Sequence, residues 1–184
     1  MTLPFYTIGH SNRSFEDLVA LLQEAQILKV VDVRKIPRSR ANPQFNQETL
    51  PHRLAEHQIA YDHNVGLGGR RGRIEDVADD SNGYWENTSF HNYADYALSA
   101  SFHAGLEQLI ETGRRQPSAI MCSEAVWWRC HRRLIADNLL ARGETVIHIM
   151  RHGRLEKARL TAGAVIHPDG TVSYPASAHQ EQRR

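Results

Sequence analysis

Leu28-Lys29-Val30-Val31-Asp32-Val33 is the run on which the fold turns. It is short, rich in β-branched residues and continuous rather than alternating, which is the composition of a strand buried on both faces of a parallel sheet. Upstream, Ser14 stands as a helix N-cap with Asp17 in the place of a capping-box acid. Phe15, Leu18, Leu22 and Ala25 then follow at helical spacing. Before that helix, residues 4–8 form an apolar and aromatic strand that ends at Gly9-His10-Ser11-Asn12, a loop by composition. Downstream come a polar loop holding Pro37 and Pro43, a helix over 49–58 with Pro51 in its first turn, and a strand over 59–63. Residues 64–89 read as a long loop of the kind that carries function. The spacing then predicts a helix over 90–112, a strand over 119–122 and a helix over 129–142 closed by Gly143. A strand over 145–150 and a small hairpin over 165–172 complete the pattern.

Strands that alternate with helices require crossover connections and helices on both faces of a parallel sheet. The expected fold is therefore three-layer α/β, with a mainly parallel sheet of about five strands and a small C-terminal hairpin. The 184 residues suit one domain, placed at 1–175, followed by a polar and frayed tail over 176–184. Hydrophobic residues at 41% and charged residues at 23% are ordinary for a globular chain. A net charge of +1 makes no general case for a nucleic-acid binder, yet the basic residues cluster at 34–40, 70–73 and 129–133. The first residues lack a basic start followed by an apolar stretch, and no window has the length needed to span a bilayer. A cytoplasmic location with no membrane partner is expected, with both cysteines as reduced thiols.

In such sheets ligands bind outside the carboxyl ends of the strands. Cys122 ends a strand shortly before a helix, where the helix N-terminus favours thiolate; a small buried hydrophobe is the plainer reading. Glu124 offers a general acid or base, or a salt-bridge partner for Arg129 or Arg132. His131 lies in the first helical turn at the ligand end, as a catalyst or as a hydrogen-bonded core residue. Arg132 opposes the helix dipole there, so it is expected to serve an anion or Glu124, whereas Arg133 has Asp137 at i+4. His10 and Ser11 supply a base and a hydroxyl. Asp32 and Arg34 supply a carboxylate and an anion clamp, or a structural ion pair, and Arg38 adds a second clamp. Trp127 and Trp128 form an aromatic wall for a base or sugar, or a staple that packs the loop.

A thiol phosphatase or sulfurtransferase also uses strand, Cys, anion loop, Arg and helix. Here six residues separate Cys122 from Arg129, one more than such a loop holds, and Glu124 would repel a phosphate. Cys122, Cys130, His131 and His10 include soft metal ligands. Their spacing is not that of a zinc knuckle, and neighbours on a helix point about 100° apart. Neither a metal nor a cofactor is expected.

The chain resembles the family called domain of unknown function 488. The likeness is carried by Tyr6-Thr7-Ile8-Gly9-His10-Ser11, Val31-Asp32-Val33-Arg34, Pro37-Arg38-Ser39, Phe45, Leu67-Gly68-Gly69 and Tyr93-Ala94-Asp95-Tyr96. Its most specific part is Cys122-Ser123-Glu124 followed by Cys130-His131-Arg132, with Ser123 where the family usually has Ala. The resemblance implies an α/β fold and a role for these residues, and it supplies no reaction. The expectation from the residues is an enzyme with acid–base or thiol chemistry on an anionic small molecule or nucleic acid. Cys122, Glu124, His10, Asp32 and His131 would serve the chemistry, and Ser11, Arg34, Arg38, Arg132, Trp127 and Trp128 would hold the substrate. The alternatives are a thiol-based phosphatase or sulfurtransferase, a non-catalytic nucleotide or nucleic-acid module, and a buried network with no chemistry.

Overall fold

The computed structural model describes residues 2–176. The tail placed at 176–184 lies, from 177 onward, outside the described residues. The first half of the chain contains β1 (Phe5–Gly9), α1 (Phe15–Glu24), β2 (Lys29–Asp32), α2 (Leu50–Ala55) and β3 (Ala60–His63). The second half contains α3 (Thr88–Tyr96), α4 (Ala100–Arg115), β4 (Ser118–Cys122), α5 (Arg132–Ala141), β5 (Val146–Arg151) and β6 (Arg154–Lys157). A hairpin of β7 (Val165–Ile166) and β8 (Val172–Ser173) follows.

One six-stranded sheet runs β3-β2-β4-β1-β5-β6, parallel except for the β5–β6 pair. The run that opened the reading behaves as its composition demands. Val30 packs with Leu18, Leu22 and Leu54 beneath α1 and α2. Val31 turns the other way, into a core with Leu106, Leu109, Leu134 and Ile135 from α4 and α5. Both faces of β2 are thus covered, as a period-2 strand between two helical layers requires. Ser14 caps α1, its Oγ accepting the Asp17 backbone N–H at 3.0 Å. Among the described residues no helix is long and apolar enough to cross a membrane.

Three elements differ from the sequence expectation. The helix placed at 90–112 is two helices, because Ser99 starts a new one by accepting the Phe102 N–H at 3.2 Å. The sheet gains β6, whose Arg154-Leu155-Glu156-Lys157 carries no apolar alternation. Charge on an edge strand blocks further pairing, and the same charge hides the strand from a pattern search. The helix placed at 129–142 begins only at Arg132, after a 3₁₀ turn over Trp127–Arg129. Arg133 donates to Thr161 Oγ1 at 3.1 Å instead of pairing with Asp137. The Asp137 carboxylate accepts from Thr161 N–H at 2.9 Å and Tyr174 O–H at 2.7 Å, tying the C-terminal segment to α5.

Candidate active site

Sheet register sets Gly9 beside Cys122 and Asp32 beside Met121. The chain therefore leaves β1, β2 and β4 at one level. Over that edge lies a cleft of about 610 Å³, whose floor includes His10, Arg34, Cys122, Glu124, Cys130 and His131. Lys35, Arg38, Arg70 and Arg129 also line it, and Phe90 and Tyr93 form part of one wall. The volume falls in the range of small-molecule sites. Two glycines make the close packing possible. A Cβ at Gly9 would lie 1.8 Å from the Glu124 carbonyl oxygen, and one at Gly69 would lie 2.9 Å from His131 Nδ1.

Two hydrogen-bonded clusters sit beneath the cleft. In the first, the buried Asp32 carboxylate accepts from Arg34 Nε at 2.9 Å and Arg34 Nη2 at 2.7 Å. It also accepts from the Tyr61 hydroxyl at 2.6 Å. Arg34 donates further to the Phe45 carbonyl at 2.7 Å and, through Nη1, to His10 Nε2 at 3.2 Å. His10 Nδ1 faces the Ser11 carbonyl at 2.8 Å, so that nitrogen carries the proton and Nε2 is the acceptor. Burial is the main force that drops His10 from 6.5 to about 4, with the Arg34 charge adding to it. The ring is neutral near pH 7 and both nitrogens are committed. Arg34 keeps a single Nη1–H for a ligand.

In the second cluster the Cys122 and Cys130 sulfurs lie 2.6 Å apart. Arg132, only 1% exposed, donates from Nε to Cys122 Sγ at 3.0 Å, from Nη1 to Thr7 Oγ1 at 3.0 Å and from Nη2 to the Glu124 carbonyl at 2.7 Å. Its backbone N–H points at Cys130 Sγ at 3.4 Å. His131 Nε2 donates to the Val33 carbonyl at 2.8 Å, and its Nδ1 lies 3.6 Å from Cys130 Sγ. Burial, together with the hydrogen bond between the two thiols, pushes Cys122 well above the ordinary thiol range. Burial would also raise Cys130, yet the Cys122 contact, His131 and Arg132 together hold it well below that range. The two thiols are thus tied to each other and to one guanidinium, with Cys130 pulled toward thiolate and Cys122 toward thiol.

The structure brings Cys122, Glu124, His10, His131, Arg34 and Arg38 to the cleft and leaves other expected residues out of its lining. Asp32 is buried beneath Arg34. Arg132 faces the thiols, Thr7 and a carbonyl rather than a ligand, and it does not pair with the Glu124 carboxylate. Ser11 adopts a left-handed φ of 49° and bonds locally to Asn12. Trp127 stacks on His148 at 4.5 Å and donates to Glu156 at 3.0 Å, behind the loop, with Trp128 edge-on to it. Trp127 thus packs behind the loop while Trp128 is exposed, and neither lines this cleft. Cys130 and His131 precede α5 instead of lying on it, so their side chains converge where helical spacing would have splayed them. Among the described residues no three His, Cys, Asp or Glu side chains form a metal-holding group.

Sequence reasoning missed His148 and gave Thr7, quoted only within a motif, no part in the site; their side chains meet at 2.6 Å and complete the Arg132 shell. Their only local signal is a polar residue on the buried side of an otherwise apolar strand.

A family model described as "Domain of unknown function DUF488" matches residues 14–139. The chain belongs to that family. No curated protein matches it, and no solved structure does. The DUF488 span contains Asp32, Arg34, Cys122, Cys130 and Arg132, while His10 and Thr7 precede it and His148 follows it. Strands at both ends of the DUF488 match therefore complete the two clusters.

Proposed function

We propose that this DUF488 protein is a cytoplasmic enzyme that binds an anionic, nucleotide or nucleic-acid-like substrate in the cleft, with Glu124 as its acid–base group. One observation carries the reading: Lys35, Arg38, Arg70 and Arg129 line a cleft in which Glu124 is the one carboxylate among the described residues. Clustered cations raise the local concentration of anions. Glu124 is exposed there, and its carboxylate has no hydrogen-bond or salt-bridge partner among the described residues. A free carboxylate within a cationic cleft is placed to reach a bound substrate, which acid–base catalysis demands before anything else. His10 and Asp32 have all their polar atoms engaged, so they orient Arg34 rather than exchange protons with a ligand. Phe90 offers an aromatic edge on the same wall, suited to a base. A second reading, thiol chemistry at Cys130, draws support from the direction in which Cys122, His131 and Arg132 pull that thiol, toward thiolate.

The test is titration with nucleoside 5′-monophosphates and a short single-stranded oligonucleotide at two salt concentrations, followed by assay for their breakdown. Saturable binding should weaken with salt and with Arg129→Ala. Glu124→Gln should keep the binding and lose turnover by about a hundredfold. Absence of saturable binding for every probe would overturn the reading. Turnover that survives Glu124→Gln but not Cys130→Ser would hand the chemistry to the thiol.

A further inference from the structure

We propose that Cys122 and Cys130 form a reversible dithiol–disulfide couple, in which a hydroperoxide entering the cleft oxidises Cys130 and Cys122 resolves the product. The proposal does not depend on the identity of the anionic substrate or on Glu124.

Four observations converge on it. Both cysteines are free, and both line the cleft although each is almost wholly enclosed. That leaves access to a small reagent and little to a bulky one. Their sulfurs are 2.6 Å apart, so an S–S bond of about 2.05 Å asks for little movement. Arg132 donates to both sulfurs, from Nε to Cys122 and from its backbone N–H to Cys130. The two contacts together favour one thiolate on the pair, the form that attacks peroxide, and Cys130, 5% exposed against 2% for Cys122, is the more accessible sulfur. Finally, the segment between the cysteines carries Glu124 and Arg129 and is held by Arg132 through the Glu124 carbonyl. A bond between its two ends would leave that anchor in place.

The chemistry closes without any further reagent. The Cys130 thiolate attacks one peroxide oxygen, the O–O bond breaks, and the departing alkoxide or hydroxide takes up a proton to leave as alcohol or water. Cys130 is now a sulfenic acid. The Cys122 thiol gives up its proton as its sulfur attacks the Cys130 sulfur, and the hydroxyl leaves as water. Two thiols have lost one electron each, and the peroxide has gained both. A dithiol reductant reverses the step by exchange.

The experiment treats the full-length protein with a small excess of hydrogen peroxide and follows free thiols, intact mass and a non-reducing peptide map. Both thiols should disappear together with loss of the mass of two hydrogens. A peptide linking Cys122 to Cys130 should appear, and a dithiol should restore the starting state. In Cys122→Ser the reaction should stop at a Cys130 sulfenic acid that dimedone traps. In Cys130→Ser loss of the remaining thiol should slow by about tenfold or more. Three results would overturn the proposal: thiols inert to peroxide, Cys130 carried to sulfinic acid with no linked peptide, or dimedone found on Cys122 instead. The wild-type map decides the matter even if a variant fails to fold.

Discussion

Arg34 follows the carboxyl end of β2 and Arg132 opens α5 against the end of β4; both are buried, both touch a cleft residue, and they are neutralised in different ways. Arg34 faces Asp32, a carboxylate fixed by two guanidinium contacts and a tyrosine hydroxyl. Arg132 faces a pair of thiols that can take up a proton or lose two electrons. A permanent counter-ion makes the first cluster a scaffold. A soft, titratable counter-ion makes the second responsive, since its charge changes with conditions while the arginine stays in place. The two are joined across the sheet by the His10 N–H bond to the Cys122 carbonyl at 2.9 Å.

The sharpest way to break this comparison is to remove the permanent charge. Asp32→Asn leaves a buried guanidinium without a counter-ion and should cost about 3–5 kcal/mol in denaturant unfolding. If Asp32→Asn unfolds like the wild type, Arg34 is not held by charge and the scaffold reading fails. Arg132→Met should cost less, about 1–3 kcal/mol, because Cys130 can protonate and discharge the site. Its alkylation rate near neutral pH should fall as the thiolate is lost.

Acid sharpens the contrast on the other side. His10 and His148 are both lowered from 6.5 to about 4, chiefly by burial. The unfolded chain protonates each near 6.5, and the folded chain resists until about 4. Their contribution is therefore fully present above pH 6.5 and is lost as pH falls from there toward 4. His10→Gln should make stability less steep with pH in that window, measured as the unfolding midpoint at several pH values. An unchanged slope would show that His10 is not held neutral. The smallest effect is expected at the rim. Arg38 is exposed and, among the described residues, pairs with exposed Glu48 alone, so Arg38→Ala should leave the unfolding midpoint within error. The same variant should reduce the salt dependence of anion binding by about one unit of slope.

The comparison also explains what a reader of the sequence can and cannot find. Asp32-Val33-Arg34 is a local pair on one strand end, and its alternative as a structural ion pair was written in its spacing. The tryptophans show the opposite case. Trp127-Trp128 beside an arginine has the composition of a ligand wall, yet the stack lies on His148 of β5. Strand pairing, which the local run does not encode, put that histidine there. Arg132 was legible as a residue at odds with its helix dipole, but what it meets on Glu124 is the backbone carbonyl and not the carboxylate. A backbone carbonyl carries no residue identity, so no side-chain pattern points to it.

Local composition and spacing were enough for the alternating elements, the buried central strand, the Ser14 cap and the edge at which reactive side chains gather. Those features depend on residues a few positions apart, where local geometry fixes who faces whom. The meeting of Thr7, Cys122, Cys130, Arg132 and His148 came from the order β4-β1-β5 and its register. Only folding sets which strand lies beside which, because burying both faces of the sheet selects that order for the chain as a whole. The sequence placed a thiol, a carboxylate and an arginine at one end of the molecule. The tertiary structure decided that the arginine would serve the thiols and leave the carboxylate free.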